Sequence, residues 1–266
     1  MLRKRPGKHL LASVTALALL SGCTYESAPK EFVKLETEQP GKTPEKNPAQ
    51  VLQTALSKAK TDPEAQKFWF SGYVKNRMMS RELTSMFDGI VADSDSYQVT
   101  GRIAAQEFVY YRNNDDKYIY RGGSWITARE ESIPVDVFKG FDDWIPFLDR
   151  AVEMPEEKVI STMTTPYQIK ITGKEWVENS NIDLFKPLQD ELAGRPDLDK
   201  ILENTTIKTT FGIGQKDGLI HSYQTWIIVP VPGAGYMDQE VNFKFFKYGE
   251  NLQLTPMTEV EKYLLD

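Results

Sequence analysis

The sequence from Ile207 to Phe245 reads IKTTFGIGQKDGLIHSYQTWIIVPVPGAGYMDQEVNFKF, and it holds the clearest structural signal in the chain. In its first part, Ile207, Phe211 and Ile213 share one side of a period-two pattern whose other side is polar or small. Such alternation predicts a β-strand with one buried and one solvated face.

Two turns divide this stretch into three antiparallel strands. Asp217-Gly218 is a strong tight-turn pair, and the strand predicted over Leu219–Val231 runs back from it. Gly233–Gly235 then turns the chain into a third strand, in which Phe243 and Phe245 face the same way. The C-terminal part is therefore predicted to be an antiparallel meander.

The same period recurs earlier in the chain. It predicts six more strands, over Phe68–Val74, Tyr97–Ile103, Phe108–Arg112, Lys117–Arg121, Ser124–Arg129 and Tyr167–Gly173. An antiparallel sheet with this many strands curls, because its strands twist.

Helical periods flank and interrupt the strands. We predict helices over Val51–Ala59, over Phe141–Val152 with a distortion at Pro146, and at 182–193 and 197–203, then a strand over Asn251–Leu254 and a closing helix over Val260–Leu265. The predicted fold class is α+β, with a curled antiparallel sheet, or half-barrel, covering a helical plug. The alternative is a fully packed α+β sandwich without a cavity.

The N-terminus has the order of a secretory signal. Basic residues precede an apolar run from Leu10 to Leu20, which is too short to cross a bilayer. The following Ser21-Gly22-Cys23 resembles the lipobox of bacterial lipoproteins, which implies cleavage between Gly22 and Cys23 and acylation of Cys23. The alternative is an ordinary signal peptide with a chance cysteine.

The rest of the chain divides into a tether and one domain. Residues 1–22 are the predicted signal peptide, and 23–50 comprise the lipidated cysteine and a flexible, charged tether with no sustained apolar period. Residues 51–266 form the predicted globular domain.

Composition excludes several classes of chemistry. Cys23 is the single cysteine, and the mature chain keeps one histidine, His221, so disulfides, thiolate clusters and two-histidine metal sites are excluded. Loss of the signal changes the net charge from −6 to about −10, because residues 1–22 hold four basic and no acidic residues. We predict no cofactor, no metal and no nucleic-acid partner.

The order of these elements resembles the LolA/LolB and LppX-type lipoproteins, including LolA-like lipoproteins of Gram-positive bacteria. The residues that carry the resemblance are Gly72, Tyr118 to Trp125, Asp217 to Ile220, and the ending from Phe245 to Pro256. The resemblance implies an incomplete barrel that wraps a helical plug and encloses an apolar cavity for acyl chains.

Aromatic residues are concentrated in the strands and the plug. Part of this set lines the expected cavity, with Phe70, Tyr118, Tyr120, Trp125, Trp144, Phe243 and Phe245 as the candidates. The alternative is that these rings form an ordinary core.

The chain shows no convincing catalytic motif. His221-Ser222 lacks the Gly-x-Ser-x-Gly turn that exposes a serine nucleophile, so we predict no enzyme and no catalytic residue. Asp88, Asp93 and Asp95 lack the glycine and glutamate of a calcium loop.

The sequence thus predicts an extracytoplasmic lipoprotein, anchored to the cell membrane through Cys23, that binds a lipid, an acyl chain or a lipidated partner without covalent chemistry. In a diderm the membrane could be the outer one. The alternative is an interaction or regulatory module of the cell envelope, with a filled core and a protein partner.

Cys23→Ala tests the anchor. We expect the variant to remain an uncleaved, non-acylated precursor, seen as a larger band on immunoblots and as loss of label from a clickable fatty acid. Wild-type processing of the variant would contradict the lipoprotein prediction.

Overall fold

The computed structural model describes residues 47–78, 81–103, 105–128, 141–180, 197–233, 235–252 and 254. The strands are β1 Phe68–Met78, β2 Arg81–Asp93, β3 Ser96–Ile103, β4 Gln106–Asn113, β5 Asp116–Arg121, β6 Ser124–Thr127, β7 Val152–Glu153, β8 Glu157–Val159, β9 Thr162–Thr172, β10 Thr206–Gly214, β11 Ile220–Val231 and β12 Gly235–Phe246. The helices are α1 Pro48–Thr61, a 3₁₀ helix Asp142–Arg150, α2 Gly173–Asn179 and α3 Leu198–Asn204.

All twelve strands belong to one antiparallel sheet. Its order is β6-β5-β4-β3-β2-β1-β12-β11-β10-β9-β7, with β8 paired to β9. Strands β1 and β12 lie side by side and join two meanders, and within the described residues the two ends of the sheet do not pair with each other. The predicted α+β fold with a curled, unclosed antiparallel sheet is confirmed.

The C-terminal strands have the predicted register. Phe211 lies opposite Tyr223, and Tyr223 lies opposite Phe243 on the next strand, so these rings share one face of the sheet. The β10–β11 turn closes through Gly218, whose φ is +69°, and through a hydrogen bond of 3.0 Å from the Leu219 amide to the Asp217 carboxylate. The turns predicted at Asp217-Gly218 and before Gly235 are confirmed.

Two glycines on the inner face leave room for large rings to lie directly over the backbone of the curled sheet. Gly72 lies between Phe243 and Phe87 on the neighbouring strands, and a Cβ there would overlap the Phe243 ring. At Gly89 a Cβ would overlap the ring of Phe70. The freed space lets Phe70 and Phe243 approach to 6.1 Å between ring centroids.

The helices lie against the inner face of the sheet. Helix α1 starts at Pro48, where the Asn47 side chain caps the Ala49 amide at 3.0 Å, and buries Leu52, Ala55 and Leu56. This start is three residues before the predicted domain boundary. Helix α1 contacts the 3₁₀ helix, whose Trp144, Phe147 and Leu148 are buried.

The 3₁₀ helix corrects part of the predicted plug. In the predicted α-helix, Ile145 and Val152 share the apolar face of Phe141 and Leu148, but both are 48% exposed in the structure. A 3₁₀ helix has three residues per turn, so Phe141, Trp144 and Phe147 share a side instead. Pro146 lacks the amide hydrogen that an α-helix would use at this point.

Some elements were missed, and some lie outside the described residues. The interleaved charges of β2 hid its strand pattern, and helix α2, with its capping box of Thr172 and Glu175, was not predicted. Asn251 and Leu252 are not in a strand, so that prediction is wrong there. The helices predicted at 182–193 and 260–265, the signal peptide and Cys23 lie outside the described residues.

Gly89→Ala tests the glycine packing. The added methyl group overlaps the Phe70 ring, so we expect the free energy of unfolding to fall by about 1–3 kcal/mol in urea titrations. Adding Phe70→Leu shortens the opposing side chain, and the double variant should lose less than the sum of the two single losses. Strict additivity would contradict the proposed steric cause.

Candidate functional site

A cavity of about 360 Å³ lies between the C-terminal half of α1 and the inner face of the sheet. Its walls come from both arms of the sheet and from the residue before the 3₁₀ helix. The lining residues are Leu56, Ala59, Lys60, Ala65, Gln66, Phe68, Ser94, Tyr97, Arg112, Phe141, Ile220, Phe245 and Tyr248.

Aromatic rings form the apolar side of the cavity. Phe68 lies centrally, 5.5 Å from Phe245 and 5.6 Å from Tyr248 between ring centroids. Phe141 meets Phe245 edge-on at 6.1 Å. Edge-on and tilted contacts of this kind are favourable geometries for aromatic pairs, so the rings support one another in the wall.

Two cations border the cavity. Arg112 Nη2 donates to Asp95 at 2.5 Å, and its guanidinium lies 5.8 Å from the centroid of the Tyr97 ring. Lys60, near the C-terminus of α1, forms a salt bridge with Asp142 of the 3₁₀ helix. The two carboxylates lie outside the lining, so the charged groups of the cavity wall itself are both positive.

Tyr248 closes one side with its hydroxyl satisfied inside the protein. The hydroxyl donates to the Ile220 carbonyl oxygen. Burial raises the pKa of Tyr248 well above its usual range, and the Asp217 carboxylate raises it further. The ring therefore stays neutral and contributes an apolar face to the cavity.

His221 fastens the wall behind Tyr248. Its Nδ1 lies 3.2 Å from the Phe245 carbonyl oxygen and its Nε2 lies 2.9 Å from the Asp217 carboxylate. Lys58 of α1 donates to the Asp217 carbonyl oxygen at 2.9 Å. Both ring nitrogens face oxygen atoms of the protein, so neither is left to activate Ser222. His221 thus joins the turn to the last strand, and Lys58 joins the same turn to α1.

The seven residues predicted for the cavity are distributed over three places. Phe245 lines the cavity, whereas Phe70 and Phe243 lie deeper on the same face and are buried. Trp144 is 1% exposed, and its indole lies 5.0 Å from that of Trp176. Its Nε1 donates to the Tyr223 hydroxyl at 3.3 Å.

The other three lie on the opposite face of the sheet. Tyr120 pairs across the strands with Trp125, while the adjacent Ile119 is buried and points to the inner face. Tyr118 follows the same alternation as Tyr120. These three rings lie at the β5–β6 end of the sheet, away from the cavity.

Several lining residues were not singled out from the sequence. Tyr97 and Arg112 are cross-strand partners in β3 and β4, and Lys60 comes from α1. No motif unites them, because the curl of the sheet brings them together. The amphipathic pattern of α1 was the one usable signal, since it marks Leu56 and Ala59 as inward-facing.

A second, more open groove of about 400 Å³ runs along the N-terminal half of α1. Its lining is mixed, with polar residues such as Asn47 and Gln50 beside apolar ones such as Val51 and Ile213. Within the described residues, no group of three or more metal-ligating side chains occurs. No helix in the same part of the chain is long and apolar enough to span a bilayer.

Comparison with known proteins finds similar solved structures but no related sequence. No protein-family model matches the sequence, and no curated protein does. The structure matches that of the lipoprotein LppX from Mycobacterium tuberculosis, with 9% sequence identity, a TM-score of 0.43, and coverage of 78% of this chain and 97% of that one.

Two further matches extend this set. A LolA-superfamily protein from Nitrosomonas europaea aligns at 8% identity and a TM-score of 0.29, covering 80% of this chain and 96% of that one. A chain of the MucA/MucB complex from Pseudomonas aeruginosa aligns at 8% identity and a TM-score of 0.34, covering 79% of this chain and 59% of that one. LppX and the LolA-superfamily protein belong to the groups that the sequence resembles, and all three alignments have TM-scores below 0.5.

Trp144→Ala tests whether Trp144 belongs to the packed core or to the cavity wall. Trp144 is buried among other rings, so we expect truncation to lower the free energy of unfolding by about 3–5 kcal/mol in urea titrations. Trp125 lies on a short end strand, and Trp125→Ala should cost clearly less. Equal losses for the two variants would contradict these placements.

Proposed function

We propose that this protein is an extracytoplasmic lipoprotein, anchored to its membrane through acylated Cys23, that holds the apolar chain of a lipid or of a lipidated partner in the cavity beneath α1. One observation carries the proposal, namely an apolar cavity of about 360 Å³ with a pre-formed aromatic wall and a polar border. This volume lies within the range of about 300–1,000 Å³ that is typical of small-molecule sites.

Burial of apolar surface would supply the binding free energy. Each methylene taken from water contributes about 0.8 kcal/mol, which corresponds to about a fourfold change in affinity. Part of this gain is offset by the cost of ordering the chain. Affinity should therefore rise with chain length until the cavity is full and then level off.

The anchor and the cavity fit one task. Between Cys23 and Asn47 lie enough residues to span at most about 85 Å when extended. That reach allows the domain to approach the membrane that holds it in several orientations. The domain can then collect or deliver a chain at that surface while Cys23 remains in the bilayer.

A second candidate is an interaction module of the cell envelope. It is favoured by the dense packing of the inner face away from the cavity, where Phe87 stacks on Phe243 at 6.2 Å and meets Phe108 at 6.1 Å. In this function the sheet would be a rigid support for a protein partner, and the cavity would stay without a lipid.

Native mass spectrometry of residues 24–266, secreted without the anchor, distinguishes the two. We expect excess mass that leaves on solvent extraction as a lipid, and Ala59→Trp, which fills the cavity, should abolish it. Ser57→Trp is the matched control, because Ser57 lies on the exposed side of the same helix. A bare chain mass, even after incubation with membrane lipids, would favour the interaction module.

A further inference from the structure

Both charged residues that line the cavity are cations, each paired with a carboxylate outside the lining, although the molecule as a whole is acidic. The chain has a net charge of −6 with its signal peptide and about −10 without it, yet the charged residues that line the cavity are Lys60 and Arg112. The other polar lining groups, Gln66 and Ser94, are neutral. Among the residues that line the cavity, these two cations are the groups that can pair with a negatively charged head group.

Arg112 is held ready for an anion. Its Nε donates to the Asn114 carbonyl oxygen at 3.4 Å, and its Nη2 donates to Asp95. Its Cζ lies over the Tyr97 ring, 5.8 Å from the ring centroid. The side chain is 23% exposed, so its position is set by protein contacts while part of the fork still reaches solvent. A guanidinium in a fixed position suits a planar carboxylate or a phosphate.

The carboxylates that now pair with these cations are easily exchanged. Asp95 is 54% exposed and Asp142 is 52% exposed at the side chain. Exposed ion pairs of this kind contribute about 0–1 kcal/mol, because water and salt compete for both partners. A ligand anion that is tied to a buried chain can replace them at little cost.

The volume limits the ligand to a small number of chains. About 360 Å³ lies near the lower end of the range of about 300–1,000 Å³ seen for ligand sites. We propose that the cavity binds a single-chain anionic amphiphile, with the chain against Phe68 and Phe245 and the carboxylate or phosphate at Arg112 and Lys60. This inference rests on the proposed function and adds the class of ligand.

Matched twelve-carbon probes test the head group on residues 24–266. Dodecanoate, dodecyl phosphate, 1-dodecanol and dodecyltrimethylammonium share one chain and differ in charge, and calorimetric titration gives their Kd values. We expect the two anions to bind about tenfold more tightly than the alcohol and the cation to bind most weakly. The ratio of the two anions distinguishes a carboxylate head from a phosphate head.

Two substitutions should act in opposite directions. Arg112→Gln should reduce dodecanoate affinity toward that of 1-dodecanol, with Lys60 retaining part of the preference, and leave the alcohol unchanged. Asp95→Asn frees the guanidinium from its competitor and should tighten dodecanoate binding severalfold, again without changing the alcohol. Lys244→Gln on the exposed outer face of β12 is the control and should change neither probe.

The outcomes separate this inference from the proposed function. Failure of every twelve-carbon probe to bind would overturn both. Equal binding of the alcohol and the anions, or a parallel loss of both in Arg112→Gln, would overturn the head-group inference while leaving chain binding intact. Tighter binding of didodecanoyl phosphatidate than of dodecyl phosphate would overturn the single-chain limit.

Discussion

The close approach of phenylalanine rings to glycines on the inner face of the sheet is the constraint on which the rest depends. Gly72 and Gly89 sit where neighbouring strands carry Phe243 and Phe70, and each ring occupies the space that a Cβ would need. Because the rings lie over the backbone, the two arms of the sheet can curl toward each other around β1 and β12. The curl then decides which residues of distant strands meet.

The cavity lies at the end of this aromatic packing. Beyond Phe70 the rings spread around Phe68, Phe245 and Tyr248, and α1 covers the space they leave. The wall there is fixed by polar contacts, since His221 binds the Phe245 carbonyl oxygen and Asp217, and Lys58 ties the same turn to α1. A wall fixed in advance loses less entropy on binding, which favours a pre-formed site over one made by the ligand.

Period and turn chemistry were sufficient to predict most of the fold. The meander from Ile207 to Phe245 was predictable because alternation and glycine turns are local properties of the chain. Strand β2 was not, since Glu82, Asp88 and Asp93 lie within it and resemble loop residues until the outer face is known to be solvated. Alternation defines two faces and does not say which of them is inward, and at the end of the sheet that ambiguity placed Trp125 in the expected cavity. Phe245 was predicted because it belongs to the strongest alternating pattern, whereas Arg112 and Lys60 come to the same cavity only through tertiary structure.

In the proposed complex, the apolar chain and the head group of the ligand have separate roles. Ten buried methylenes would contribute about 8 kcal/mol before ordering costs, whereas one charge-assisted contact contributes about 1.5–3 kcal/mol. The apolar wall therefore decides whether a ligand stays, and Arg112 decides which head group is preferred. In the proposed binding mode, the two cations at the cavity border attract the head group of an anionic amphiphile, and an acylated Cys23 would keep that border within reach of the membrane.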